Sequence, residues 1–285
     1  MKIPFVIDVN GKVIVVTGGG GVLCGHFSEA LAECGGSIAI LDINKDAAEE
    51  IANKIREKNG IAMAVETDVL NKQSLINAKK IIVEKWGKIN ILINGAGGNN
   101  PKATTSQEYL TKHELKNQDE MVKNFFELEQ EGVEFVFDLN FIGTFLSSQV
   151  FAKEMIDQEN PTIINISSMN ALRPLTKIPA YSAAKAAVSN FTQWLSVYMA
   201  KIGIRVNAIA PGFFLTEQNR SLLINENGKF TDRAKTIIDH TPLGRFGEPE
   251  DLIGTLFWLL DDKASRFVTG IVVPVDGGFS AFSGV

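Results

Sequence analysis

At 285 residues, with 45% hydrophobic and 21% charged side chains, the chain can bury one substantial core but is short for two, so residues 1–285 are expected to form a single domain. A net charge of −5 and a pI near 5.4 argue against nucleic acid or an anionic membrane surface as the main partner. No uninterrupted apolar run approaches the ~18 residues that span a bilayer. The two cysteines, Cys24 and Cys34, lie about 15 Å apart if they share one helix, too far for a disulfide. The N-terminal residues lack a secretory apolar region, and the chain is expected to be cytoplasmic and reduced.

Short β-branched runs alternate with longer helical stretches. Strands are expected at 12–16, 37–41, 61–65, 89–93, 162–166, 204–209 and 269–274, with helices between them, as at 44–58 and 71–86. The runs are almost continuously apolar, which suits strands covered on both faces. The pattern predicts an α/β fold: a Rossmann-type, doubly wound parallel sheet of seven strands with helices on both faces.

Directly after the first run comes a glycine-rich turn, from Gly18 through Gly20, Gly21, Val22 and Leu23 into a helical pattern. Glycines let a backbone approach a pyrophosphate, whose charge favours a helix N-terminus. Asp42 ends the second run, where a carboxylate can accept hydrogen bonds from ribose hydroxyls and would repel a 2′-phosphate. No arginine follows Asp42, although Lys45 is near, so NAD is favoured over NADP. The plainer role for Asp42 is a helix N-cap.

The alternation breaks once. Residues 98–132 are polar and carry Leu110, Leu115, Met121, Phe125 and Phe126 at loosely helical spacing, which predicts a surface insertion with amphipathic helices. Farther on, Tyr181 and Lys185 stand four residues apart on one face of a predicted helix, so an ammonium can lie near a phenol. Lowering a phenol pKa from ~10 to neutrality requires roughly 4 kcal/mol of phenolate stabilisation. Ser168 sits at the end of the strand that precedes this helix.

With these residues in place, the chain resembles the short-chain dehydrogenase/reductase family. The resemblance is carried by Thr17-Gly18, Asp68-Val69, Asn94-Gly95-Ala96-Gly97, Asn140, Ser168, Tyr181, Lys185, Pro211-Gly212 with Thr216, and Asp276-Gly277-Gly278. It implies that Tyr181 is the general acid/base, that Ser168 polarises the carbonyl, and that Lys185 holds ribose hydroxyls and depresses Tyr181. Asn140 would position a water linking Lys185 to solvent. Asp68 and Val69 would contact the adenine, and Thr216 the nicotinamide amide. Asn94, Ala96, Gly97, Pro211, Gly212 and Phe214 complete the implied cofactor contacts. Two motifs depart from the family's T-G-x-x-x-G-x-G and N-N-A-G patterns: Val22 and Cys24 replace the last two glycines of the first, and Gly95 replaces an asparagine of the second.

Longer stretches, among them residues 97–105, 167–195 and 210–220, look like the SDR-type D-mannonate oxidoreductases (fructuronate reductases). The implied substrate is a sugar acid, whose carboxylate and hydroxyls need a cation and polar partners. Arg173 and Lys177, between Ser168 and Tyr181, are expected to border it, with Asn99, Asn100, Lys102 and Asn170 nearby. A gluconate 5-dehydrogenase or a 3-oxoacyl-carrier-protein reductase is the alternative enzyme. A non-catalytic dinucleotide sensor is the alternative of another class, although Tyr181 and Lys185 are both present. The resemblance also implies a homo-oligomer, dimer or tetramer. His26, His113 and His240 show no metal-ligand spacing, and no metal is expected. The insertion at 98–132 is expected to sit over the substrate entrance as a lid or wall.

Overall fold

The run VIVVT forms β1 (Val13–Thr17), buried at every position. It pairs in parallel with β2 (Ser37–Asp42) on one side and β4 (Ile91–Asn94) on the other. With β3 (Ile61–Glu66), β5 (Thr162–Ile166), β6 (Arg205–Pro211) and β7 (Val272–Val275) they build one parallel seven-stranded sheet in the order β3-β2-β1-β4-β5-β6-β7. This computed structural model describes residues 3–112, 115, 122–215 and 223–284.

Eight helices are described: α1 (Val22–Glu33), α2 (Lys45–Glu57), α3 (Lys72–Trp86), α4 (Gln130–Phe137), α5 (Gly143–Phe151), α6 (Pro179–Met199), α7 (Asp232–Asp239) and α8 (Glu250–Leu260). They cover the sheet in two layers, and each layer has its own core. One packs Phe27, Leu31, Ile55 and Phe257 from α1, α2 and α8 against Ile14 and Ile38. The other packs Leu75, Ile82, Phe151 and Phe191 from α3, α5 and α6 against Val15 and Leu92. The expected doubly wound fold is therefore observed. Asn44 and Asn71 cap α2 and α3, each accepting a first-turn amide through Oδ1.

The strand limits differ from hydrophobicity alone. β4 begins at Ile91 rather than 89; at Asn90, whose N–H donates to the Val13 carbonyl, the Val13 N–H is taken by the Asn90 side chain at 2.9 Å and not by a backbone carbonyl. Ile89 is fully buried without being paired in the sheet. Strands β1, β4 and β7 all run to or past the predicted end, so Thr17 and Asn94 become strand-terminal residues at the carboxyl edge.

Among the described residues, the insertion holds two one-turn 3₁₀ helices, Pro101–Ala103 and Phe125–Glu127, with bends at 106–109, and α4 begins at its end. The periodic apolar residues point outward: Phe125 is 64% exposed and Phe126 71%. Met121 lies outside the described residues. Beyond the insertion, Gln130–Met155 is a helical run long and apolar enough to cross a membrane by length and composition. It is half buried within the fold, with Val136, Val150, Phe151 and Met155 in core clusters, which is the situation of a core helix.

Candidate active site

The strand order reverses between β1 and β4, and the carboxyl edge at such a reversal opens a crevice. Thr17 ends β1 there, and Gly18 follows with φ +65°, a conformation that disfavours other residues. A Cβ on Gly18 would also lie 2.8 Å from the Ala96 Cα. Gly21 caps α1 without a side-chain bond, and no acidic residue occupies the first turn. The partial positive charge of that helix end is thus open to an anion. Asp42 ties the turn down: Oδ2 accepts the Gly20 N–H at 3.0 Å, and Oδ1 the Asn44 N–H at 2.9 Å. The N-cap of α2 is Asn44, so Asp42 is not engaged as that cap. A half-buried carboxylate beside a glycine turn and an uncapped helix start fits the ribose and pyrophosphate of a dinucleotide.

On the β4 side, Thr17 Oγ1 accepts the backbone N–H of Gly95 at 3.1 Å and of Ala96 at 3.4 Å. Asn94 points into a buried network. Its Nδ2 donates to Ser148 Oγ at 2.9 Å and Asn165 Oδ1 at 2.8 Å, and Asn165 Nδ2 donates to Thr192 Oγ1 at 2.9 Å. Four elements, β4, β5, α5 and α6, are locked together beneath the crevice. The signal for Asn165 was a lone asparagine inside an apolar strand, whereas Ser148 and Thr192 looked like ordinary helix residues.

Asn140 lies in a π-helical turn, Asp138–Ile142, that interrupts the run from α4 to α5. Such turns re-aim side chains, and no local sequence signal announces them. Fully buried, Asn140 clamps Gly98: Oδ1 accepts its N–H at 3.2 Å and Nδ2 donates to its carbonyl at 2.7 Å. Nδ2 also donates to the Val136 carbonyl at 2.7 Å. The residue expected to order a water is therefore also the anchor of the insertion's first residue.

Pro179 occupies the first turn of α6, and the helix presents Tyr181 and Lys185 side by side, the Lys185 Nζ 5.7 Å from the centre of the Tyr181 ring. Lys185 is buried and donates to the Ile166 carbonyl at 2.8 Å. Burial pushes its pKa down to about 8, with the Cys24 thiol opposing. A Cβ on Gly97 would meet Asn140 Oδ1 at 2.6 Å and Lys185 Nζ at 3.0 Å, so this point of the chain must lack a side chain. Burial pushes the Tyr181 phenol up, and hydrogen bonding with the buried Ser168 hydroxyl pulls it down less strongly. Among the protein's own groups the balance thus runs opposite to the expected depression of Tyr181 by Lys185.

The other predicted positions divide sharply. Asp68 accepts the Leu70 N–H at 2.9 Å, and Val69 is buried against Gly143, both just beyond β3. Pro211 ends β6, and a Cβ on Gly212 would lie 2.6 Å from Asp276. The Phe214 ring is buried on Gly247, which leaves its backbone for any cofactor contact. Thr216 lies outside the described residues. Asn170 is buried, its N–H donating to Ser168 Oγ at 3.2 Å. Arg173 is exposed, and its Nε donates to the Ser280 carbonyl of the C-terminal segment at 2.9 Å. Lys177 adopts φ +73°, with its carbonyl accepting the Thr105 N–H of the insertion at 2.8 Å. Asn99 instead donates to Thr104 Oγ1 at 2.9 Å, and Lys102 forms an ion pair with Glu129 at 2.8 Å. Both are engaged within the insertion. Sequence reasoning missed Ser280, although the Asp276-Gly277-Gly278 motif stands just before it and Asp276 Oδ2 accepts its N–H at 2.9 Å. Among the described residues no group of His, Cys, Asp and Glu could hold a metal ion.

Residues 12–227 match the family model described as short chain dehydrogenase. An uncharacterised oxidoreductase of Haemophilus influenzae is 52% identical over 98% of this chain and 96% of its own length. The uncharacterised oxidoreductase UxuB of Bacillus subtilis is 51% identical, over 99% of this chain and 100% of its own. A crystal structure of a provisionally assigned D-mannonate oxidoreductase from Haemophilus influenzae, with bound NAD, superposes with a TM-score of 0.93 at 52% identity, covering 98% of each chain.

Proposed function

We propose that this chain, which belongs to the short-chain dehydrogenase family, is a single-domain NAD(H)-dependent oxidoreductase that interconverts D-fructuronate and D-mannonate. The observation that carries the reading is the convergence of Ser168, Tyr181, Lys185 and Asn140 on the carboxyl edge where the sheet order reverses. The likeness to a NAD-bound protein assigned to D-mannonate supports both the cofactor and the substrate class.

When bound, the nicotinamide exchanges a hydride with the substrate carbon. Tyr181 gives its phenolic proton to the carbonyl oxygen in reduction and takes it back in oxidation. Ser168 donates a hydrogen bond to the same oxygen as negative charge grows there. Lys185 binds ribose hydroxyls next to Tyr181, and its ammonium favours the phenolate left after proton transfer. Asp42, with both oxygens already oriented by backbone N–H groups, accepts hydrogen bonds from the other ribose and repels a 2′-phosphate. Arg173 offers the guanidinium nitrogens other than Nε to a substrate carboxylate. The insertion forms a wall of the entrance, tied to the same loop through Thr105 and Lys177. The exposed Phe145, Trp194 and Tyr198 rings on α5 and α6, joined in one ladder through the buried Phe191, support pairing of two copies there. Two buried free thiols suit a reducing cytoplasm.

The deciding experiment follows oxidation of NADH and NADPH with D-fructuronate, 5-ketogluconate and an acetoacetyl thioester in parallel. Turnover is expected with D-fructuronate and NADH. Activity with the thioester alone, or a strong NADPH preference, overturns the substrate or the cofactor respectively.

A further inference from the structure

Cys24 and Gly95 are among the positions at which two sequence motifs depart from the family pattern, Cys24 with Val22 in the first motif and Gly95 in the second. They meet in the structure. A Cβ built on Gly95 would lie 2.1 Å from Cys24 Sγ, 3.6 Å from Cys24 Cβ and 2.9 Å from the Thr17 carbonyl oxygen. A side chain at position 95 would overlap the thiol as it stands at position 24 and crowd the Thr17 carbonyl, so one of them would have to move. Cys24 is itself 4% exposed, and its own carbonyl accepts the Ser28 hydroxyl at 2.9 Å, which fixes the helix turn that carries it.

The space that the two residues share lies under a functional stretch of backbone. Gly95 and Ala96 hang from Thr17 by their N–H groups. Gly97 follows, so close to Asn140 Oδ1 and Lys185 Nζ that a Cβ would strike both. Gly98 is then clamped by Asn140. Whatever sets the height of residue 95 sets the surface on which Asn140 and Lys185 rest. Cys24 is also near enough to Lys185 and Asp42 to feel both charges, and burial pushes its thiol up to about 12. At physiological pH the sulfur is neutral filler rather than a nucleophile.

We propose that Cys24 and Gly95 form an interlocked pair in which the thiol supports the 95–97 backbone from below, making Cys24 a positioning residue for Lys185 and the cofactor turn. Side-chain volume present at 24 is what must be missing at 95. The inference rests on the role proposed for Lys185.

The test is a double-mutant cycle of Cys24→Ala, Gly95→Ala and the combined variant. It is read by thermal unfolding, by the NADH dissociation constant from fluorescence, and by the pH dependence of turnover. Gly95→Ala alone is expected to lower Tm by on the order of 5–10 °C or to prevent folding. In the Cys24→Ala background the 2.1 Å overlap with sulfur is gone and only a Cβ at 3.6 Å remains at position 24, while the 2.9 Å approach to the Thr17 carbonyl oxygen is common to both backgrounds, so the part of the loss caused by the thiol disappears. Cys24→Ala alone should weaken NADH binding by up to about tenfold and shift the pH profile, since it lowers the support of Lys185. If Gly95→Ala does not fold, the comparison of Cys24→Ala with the double variant still decides, because a folded double variant requires the interlock. Equal Tm losses in both backgrounds, or a double variant that fails to fold, overturn it. Coupled Tm values with an unmoved NADH constant and pH profile overturn the positioning role instead. That second outcome, joined to an unchanged NADH constant in Lys185→Met, places the fault in the reading of Lys185 and not in the interlock.

Discussion

The floor of the crevice and its rim are built on different principles. On the floor, Asn94, Asn140, Ser168 and Lys185 are each 7% exposed or less, and every one has a hydrogen-bond partner on a different element or backbone segment. At the rim, Asn99, Lys102 and Arg173 stand exposed, held by neighbours such as Thr104, Glu129 and the Ser280 carbonyl. A buried polar group left unpaired costs a large part of its hydration, so floor positions tolerate few rearrangements. Exposed pairs gain little and can be exchanged. Under the proposed function, the chemistry sits where geometry is stiff, and substrate choice where it is cheap to alter.

That contrast can be broken by experiment, the largest effect first. Tyr181→Phe keeps the ring and removes the proton, and kcat should fall about 10³-fold with NADH binding preserved. A variant retaining a tenth of the wild-type rate would move proton transfer to another group. Lys185→Met tests how strained the floor is. Lys185 falls from an ordinary 10.5 to about 8 in the folded protein. Below that value the lysine is charged in both states and its full burial cost is present. Between the two values the native state releases its proton while the unfolded chain keeps it, so wild-type stability rises with pH. The methionine variant, inactive, should then be more stable than wild type at pH 7 by up to about 3 kcal/mol, less whatever its lost bond to Ile166 is worth. The gap should close towards pH 10.5 in urea unfolding, and a gap independent of pH would mean that Lys185 is not strained by burial. At the rim, Arg173→Ala should raise KM for the sugar acid about tenfold and leave the NADH dissociation constant alone. An unchanged KM removes Arg173 from the substrate side and leaves it as a tether of the C-terminal segment.

How much was legible follows the same division. The glycine turn, Asp42, Ser168, Tyr181 and Lys185 were visible because each is a residue type with few substitutes at a fixed place relative to a strand or helix end. Lys102 and Asn99 were grouped with them on proximity along the chain, yet the structure engages both inside the insertion. The insertion's apolar spacing resembled an amphipathic helix, but Phe125 and Phe126 sit on a single 3₁₀ turn facing outward. Periodicity predicts a helix only when another surface receives its apolar face.

The sequence by itself determined the seven-stranded doubly wound sheet, the dinucleotide turn and the Tyr181–Lys185 pair, because these depend on hydrophobic period and on contacts within a few residues. Tertiary structure alone decided the π turn beneath Asn140, the Asn94–Asn165–Thr192 network, the bond from Arg173 to Ser280, and the meeting of Cys24 with Gly95. The last three of these join segments far apart in the chain. Which side chain fills a given space, or satisfies a given buried group, is settled only when the packed neighbours are known.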